Sequence, residues 1–130
     1  MLVVDGSVVI DACLSKAGFA PLKPEKLVAP PLLWSEVSSA LHQARWRRAL
    51  SERLAEAALS RLSEAPISPR RPGRLLAEAW RVADELGWAK TYDAEYVALA
   101  RLLHCRLVTL DARLQRSASR LAEIIGPRQV

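Results

Sequence analysis

The chain is poor in the residues that build covalent or membrane-bound scaffolds. Its two cysteines, Cys13 and Cys105, stand in apolar surroundings without CxxC spacing. They read as reduced, buried thiols rather than as a disulfide or a zinc pair. No apolar run approaches the roughly 18 residues that a membrane span needs. The N-terminus has no basic region, and its apolar start stops at Asp5, so no leader is expected and a cytoplasmic location is. The two histidines, His42 and His104, are too isolated to nominate as catalytic bases. Internal repeats and low-complexity segments are absent, and the proline-rich stretch Ala65–Pro69 is too short for a linker. Residues 1–130 are therefore expected to form a single domain.

What is present is ordinary in bulk and unusual in placement. A hydrophobic share of 51% with 25% charged residues excludes wholesale disorder. Bases number 19 against 14 acids, for a net charge of +5. Four of the acids sit where burial costs free energy unless a cation offsets it. Asp5 closes the apolar run Leu2-Val3-Val4, and Asp111 closes Leu107-Val108-Thr109-Leu110. Glu36 interrupts the helical pattern of Leu33, Val37, Ala40 and Leu41, and Asp93 opens the helical run from Ala94 to Leu103. With these four gathered in one cleft, the remaining surface would hold nearly twice as many bases as acids, a footprint for a polyanion such as nucleic acid.

The periodicity predicts strands at Leu2–Val4, Lys26–Ala29, Arg106–Leu110 and Glu123–Ile125. Ala65–Pro69 is too rich in proline for a central strand and reads as an edge strand or extended loop. Helices are expected from Val8 to about Ala17 with Ser7 as cap, and from Pro31 to Trp46 or Arg48. Three more are expected over Ser51–Leu62, Arg74–Leu86, and Thr91 or Tyr92 to His104, with a short one from Ala112 to about Ser117. Gly6 is read as permitting a tight turn and Gly18 as a helix stop. Strands alternating with helices give an α/β fold with a parallel sheet.

In an open parallel sheet, functional residues collect beyond the carboxyl ends of the strands, near the point where strand order reverses. Asp5 and Asp111 each follow a strand, so that rule puts them on one edge. Glu36 and Asp93 share helix faces with apolar residues and are expected to point at the core or its rim. Mg²⁺ and Mn²⁺ prefer such hard oxygen donors, and two ions about 4 Å apart can hold the attacking and leaving oxygens of an in-line displacement. Each acid also has a structural explanation: a helix-dipole partner for Asp93, a turn residue for Asp5, a cap for Asp111 and an Arg pair for Glu36.

The segments Val4-Asp5-Gly6-Ser7-Val8, Trp34-Ser35-Glu36-Val37, Tyr92-Asp93-Ala94-Glu95-Tyr96-Val97-Ala98-Leu99-Ala100 and Leu107-Val108-Thr109-Leu110-Asp111 resemble the PIN-domain family, in particular its VapC-type toxin branch. The order, the spacing and the length all match over essentially the whole chain. The resemblance implies a PIN-like three-layer fold, a parallel β-sheet flanked by helices, and a metal-dependent endoribonuclease using Mg²⁺ or Mn²⁺. It implies Asp5, Glu36, Asp93 and Asp111 as catalytic metal ligands, with the hydroxyls of Ser7 and Thr109 supporting them. It also implies an RNA substrate, a homodimer and inhibition by a cognate VapB antitoxin. Two positions depart from the family pattern. Arg113 stands two residues beyond Asp111, where some relatives carry another acid, and this bears on a second ion rather than the first. Gly6 stands where relatives more often have Thr, Ser or Ala.

Outside the four acids, Arg45-Trp46-Arg47-Arg48 joins cations to a ring that can stack on a base, and Arg70, Arg71 and Arg74 form a second basic group. Both are candidate RNA contacts, or a solvated helix end and an interface aromatic. Trp34, Trp80 and Trp88 read as core or interface aromatics. Asp11 reads as a surface residue, and Glu95 as pointing away from Asp93, being out of phase with it on the helix. Two alternatives compete with a nuclease: a PIN-like partner-binding module with weak or lost cleavage, and a receiver-like signalling domain. A receiver would want paired acids after the first strand and a Lys near the last, whereas Gly6 follows Asp5 and Lys90 is the only Lys in the second half.

Overall fold

A computed structural model describes all of residues 1–130. Five parallel strands form one sheet: β1 (Leu2–Val4), β2 (Leu27–Ala29), β3 (Ile67–Pro69), β4 (Arg106–Val108) and β5 (Ile124–Ile125), in the order β3-β2-β1-β4-β5. Six helices connect them: α1 (Gly6–Leu14), α2 (Leu32–Trp46), α3 (Glu52–Ser63), α4 (Leu75–Leu86), α5 (Tyr92–Leu103) and α6 (Ala112–Ala118). Leu2, Val3, Val4, Leu107 and Val108 are fully buried. That is why β1 and β4 appear in the sequence as unbroken apolar runs: a central parallel strand is covered on both faces. Ala65–Pro69 does contribute an edge strand, β3, which tolerates Pro69 because one of its sides carries no neighbouring strand.

Strand order reverses at β1. The chain runs outward from β1 through β2 to β3, then returns to place β4 on the other side of β1, with Val4 opposite Val108. The crevice at such a switch point opens where the two strands end, between Asp5 and Thr109.

Several local expectations are corrected. Ser7 does not cap α1. Asp5 does, its carboxylate accepting from the Val8 amide at 3.2 Å, so Gly6 is already the first helical residue rather than a turn. A Cβ on Gly6 would meet Val37 Cγ2 at 3.8 Å, an ordinary contact, so a larger small residue would also fit. Helix α1 stops at Leu14, short of Ala17, because Ser15 turns extended and Arg61 takes the carbonyls of Cys13 and Ser15 at 3.0 and 3.1 Å. Helix α3 buries Ala55, Ala58 and Leu62 and leaves Leu54 and Leu59 exposed. Strand β4 ends at Val108: the Thr109 amide still bonds the Ile125 carbonyl at 3.0 Å, and Leu110 then turns to the Ser7 hydroxyl in the loop that carries Asp111.

Helices α4 and α5 pack together as a pair, joined through Gly87, whose φ of 69° ends α4 in the left-handed region that glycine adopts without strain. Glu78 of α4 is buried and held by Arg101 of α5 at 3.1 Å and Arg81 at 3.4 Å. Trp34 and Trp88 lie partly buried against the core, whereas Trp80 is 68% exposed on α4, beside the buried face of Ala79, Val82 and Ala83. Trp80 is thus no core aromatic. Cys13 is buried and Cys105 half-buried, both as free thiols. No helix is long and apolar enough to cross a membrane.

Candidate active site

The site grows from the end of β1. The Asp5 side chain is buried, yet three donors satisfy it: Ser7 Oγ at 2.6 Å and the Val8 amide at 3.2 Å on Oδ1, and Thr109 Oγ1 at 2.5 Å on Oδ2. A carboxylate offers about four acceptor positions, so Asp5 Oδ2 keeps one unused. The two hydroxyls do more than hold Asp5. Ser7 Oγ accepts from the Leu110 amide at 2.9 Å, and Thr109 Oγ1 accepts from the Asp111 amide at 3.0 Å. One small network therefore fixes Asp5 and also the backbone that carries Asp111.

Glu36 enters from the first half of α2 and Asp93 from the first turn of α5. Glu36 is half-buried, and Oε1 accepts from the Tyr96 hydroxyl at 2.5 Å. Tyr96 is itself fully buried one turn beyond Asp93; burial, and then the bond to Glu36, push its phenol far above the usual value, so it stays a donor. Asp93 is exposed at the rim rather than turned to the core. Asp111 caps α6, its Oδ1 accepting from the amides of Arg113 and Leu114 at 2.9 and 3.2 Å, while Oδ2 stands 3.8 Å from the Arg113 guanidinium. The cap predicted as the structural explanation for Asp111 is thus formed through Oδ1, and it leaves Oδ2 without a hydrogen bond.

The electrostatics tie the four acids into one cluster. Loss of water on burial raises the carboxyls of Asp5 and Glu36 above their usual values, and partial loss of water at the rim does the same for Asp93. Mutual repulsion adds to this: Asp93 raises Asp5, Asp93 and Asp5 raise Glu36, and Asp111 raises Asp93. No three of these side chains converge into a ready-made cage for one ion. Hard carboxylate donors with free positions at Asp5 Oδ2 and Glu36 Oε2 nevertheless fit a Mg²⁺ ion, which retains several waters.

Glu95, read from the sequence as pointing away from Asp93, lies within electrostatic reach of Glu36. It is partly buried, and burial followed by repulsion from Glu36 raises its carboxyl, while Arg71 lowers it. Glu95 thus feels the charges of Glu36 and Arg71, while Asp93 is not among the charges that shift it. A helix wheel places it two residues out of phase with Asp93; that Arg71 and Glu36 approach from other elements has no local signal. Asp11 is exposed, as expected. The group at Arg45, Trp46, Arg47 and Arg48 lies at the far end of α2, roughly 15 Å along the axis from Glu36, with Trp46 80% exposed and Arg45 bonded to His42 at 3.0 Å.

The hydroxyl of Tyr96 yields a sharp test. Tyr96→Phe keeps the ring in the core and removes only the donor to Glu36, so the fold should lose about 1–3 kcal/mol, the range for a hydrogen bond to a charged group at a half-buried site. Groups that orient ligating carboxylates are worth about 10–100-fold in metal affinity or activity. We expect Mn²⁺ to bind at least about tenfold more weakly, read by titration calorimetry without RNA, with a matching fall in kcat. Unchanged Mn²⁺ affinity would show that Glu36 needs no such support.

Comparison with known proteins fits this geometry. The PIN domain family model matches residues 2–119. Ribonuclease VapC1 of Mycobacterium tuberculosis is 36% identical over 132 aligned positions, covering 94% of each chain. Ribonuclease VapC9 of the same organism is 34% identical over 115, covering 88% of each. Among solved structures, PAE2754 from Pyrobaculum aerophilum superposes with a TM-score of 0.73 at 25% identity, covering 98% of this chain and 90% of that one. FitAB bound to a DNA fragment shares the fold, with a TM-score of 0.62 at 16% identity over 100% of this chain and 97% of that one. The chain belongs to the PIN domain family, in its VapC branch.

Proposed function

We propose that this protein is the toxin of a VapBC-type pair, an endoribonuclease that hydrolyses RNA phosphodiester bonds with Mg²⁺ or Mn²⁺ held by Asp5, Glu36, Asp93 and Asp111. The observation that carries this reading is the hydrogen-bonded network that ties Asp5 to the backbone of Asp111 at the carboxyl edge of the sheet, with Glu36 and Asp93 lining one adjoining cleft, in a chain of net charge +5. Similarity along most of the chain to proteins named as VapC ribonucleases supports the same reaction. A divalent ion bound there supplies a water of lowered pKa and neutralises charge on the phosphoryl oxygen.

The chain's own residues hold the parts in place. Ser7 and Thr109 orient Asp5, and Tyr96 orients Glu36, so neither carboxylate has to be ordered when substrate arrives. Hydrolysis adds water across one P–O bond and leaves a phosphate end and a hydroxyl end. No histidine of this chain enters the scheme. Arg45, Trp46, Arg47 and Arg48, with Arg70 and Arg71, are proposed to track the RNA strand, and a VapB-type antitoxin and a second copy of the chain are the proposed partners.

Purified protein should cleave single-stranded RNA with Mg²⁺ or Mn²⁺ and lose that activity in EDTA, read on a sequencing gel. Cleavage undiminished by chelation would remove the cation from the scheme. No cleavage under either condition, with a folded protein, would favour the partner-binding module.

A further inference from the structure

Beside the acids lies a cleft of about 580 Å³ that the sequence reading did not anticipate. Its size falls within the roughly 300–1,000 Å³ typical of small-ligand sites. Glu36 of α2 and Asp93 of α5 line it, Trp88 and Lys90 come from the loop between α4 and α5, Tyr92 opens α5, and Arg113 comes from α6. Two carboxylates, two cations and two aromatic rings thus share one cavity. Their chemistry matches a nucleotide piece by piece.

Tyr92 is 57% exposed, while Trp88 is partly buried against the core. A flat ring left in water at the mouth of a polar cleft serves as a stacking platform, since every base has a π-face. The Arg113 side chain is 78% exposed, and its one ion pair is the long contact of 3.8 Å to Asp111. Its planar fork is therefore open to a phosphate, which it can bind with two parallel hydrogen bonds. Arg113 also lowers the carboxyl of Asp93, so the cation stands at the edge of the acid cluster and not apart from it. Lys90, on the loop before α5, adds a second positive charge to the lining.

We propose that this cleft is the subsite for a nucleotide flanking the scissile phosphate of single-stranded RNA, with Tyr92 stacking on the base and Arg113, aided by Lys90, binding the adjoining phosphate. The assignment rests on the nuclease reading for the word scissile, but its binding chemistry stands by itself. It gives the arginine beside Asp111 a role: this position grips substrate.

The test measures binding apart from cleavage. A fluorescently labelled single-stranded RNA of about a dozen nucleotides is titrated with protein in EDTA, and anisotropy is read over a range of salt concentrations for wild type and variants of confirmed fold. Tyr92→Ala should weaken binding roughly tenfold and Tyr92→Phe should restore it, because the ring alone stacks. Arg113→Ala should weaken binding and reduce the salt slope by about 0.7, the loss of one phosphate contact to a single strand. Binding within twofold of wild type for both alanine variants overturns the subsite, as does a wild-type protein that binds no RNA. If the variants keep RNA but lose a copurifying small protein partner, the cleft docks protein and the assignment also falls. Wild type that cleaves while the variants bind normally leaves the nuclease standing without the subsite; variants that weaken binding to a wild type that never cleaves leave the subsite without the nuclease.

Discussion

Asp5→Asn should lower RNA cleavage by at least about 10³-fold while leaving the fold intact, a loss of roughly 4 kcal/mol of transition-state stabilisation. The two halves of this expectation have separate origins. Asn keeps the size of Asp5 and one oxygen to accept from the Val8 amide, so α1 stays capped. Its amide can donate to the Thr109 hydroxyl, which can rotate to accept, so the network at the end of β1 survives in altered polarity. The charge does not survive. With it goes the carboxylate that sits deepest, under the strongest loss of water and within reach of the Asp93 charge. Single-turnover cleavage and a thermal melt settle the matter together. Near-normal cleavage in Asp5→Asn combined with Asp93→Asn would sink this assignment of the site; a collapsed melt would show that Asp5 serves the fold first.

How far the sequence discloses this site depends on the range of each interaction. Asp5, Asp111 and their strands are visible because a buried parallel strand must be apolar along its length, so an acid at its end stands out. Their adjacency follows from strand order, and order is a property of crossovers that no local pattern encodes. The choice between Asp5 and Ser7 as the cap of α1 was missed because both are good caps two residues apart. The structure resolves it through Thr109, more than a hundred residues away, which engages Asp5 and leaves Ser7 free to bridge to Leu110. Tyr96 shows the same limit. On its own helix it is one more apolar position, and only the tertiary fold reveals that its hydroxyl meets Glu36 of α2. Trp80, read as a core or interface aromatic, shows that the sequence leaves the two open: its helix buries Ala79, Val82 and Ala83 instead, which excludes the core alternative alone.

Mg²⁺ or Mn²⁺ should raise the melting temperature at neutral pH, and the gain should shrink as the solution is made acidic. In the cation-free protein, Asp5, Glu36 and Asp93 have carboxyls raised above their usual values, so the folded chain holds protons that the unfolded chain has released. Stability therefore falls as pH rises from about 4, the unfolded carboxylate range, through the higher folded values, and the full cost of the charged cluster is present above them. Below about 4 both states are protonated and the cost vanishes. A divalent ion opposes this by binding the ionised cluster. At a hundredfold excess over Kd it contributes about 2.7 kcal/mol, which in a domain of this size moves the melt by several degrees. Acid should erase the effect by protonating the donors, and Asp5→Asn with Asp93→Asn should erase it at every pH. Scanning calorimetry with and without the ion, from pH 4 to 8, reads all three outcomes. An equal shift in the double variant would place the ion elsewhere on the protein. No shift at neutral pH with millimolar Mn²⁺ would mean that the acids assemble a site only when RNA brings the phosphate to complete it.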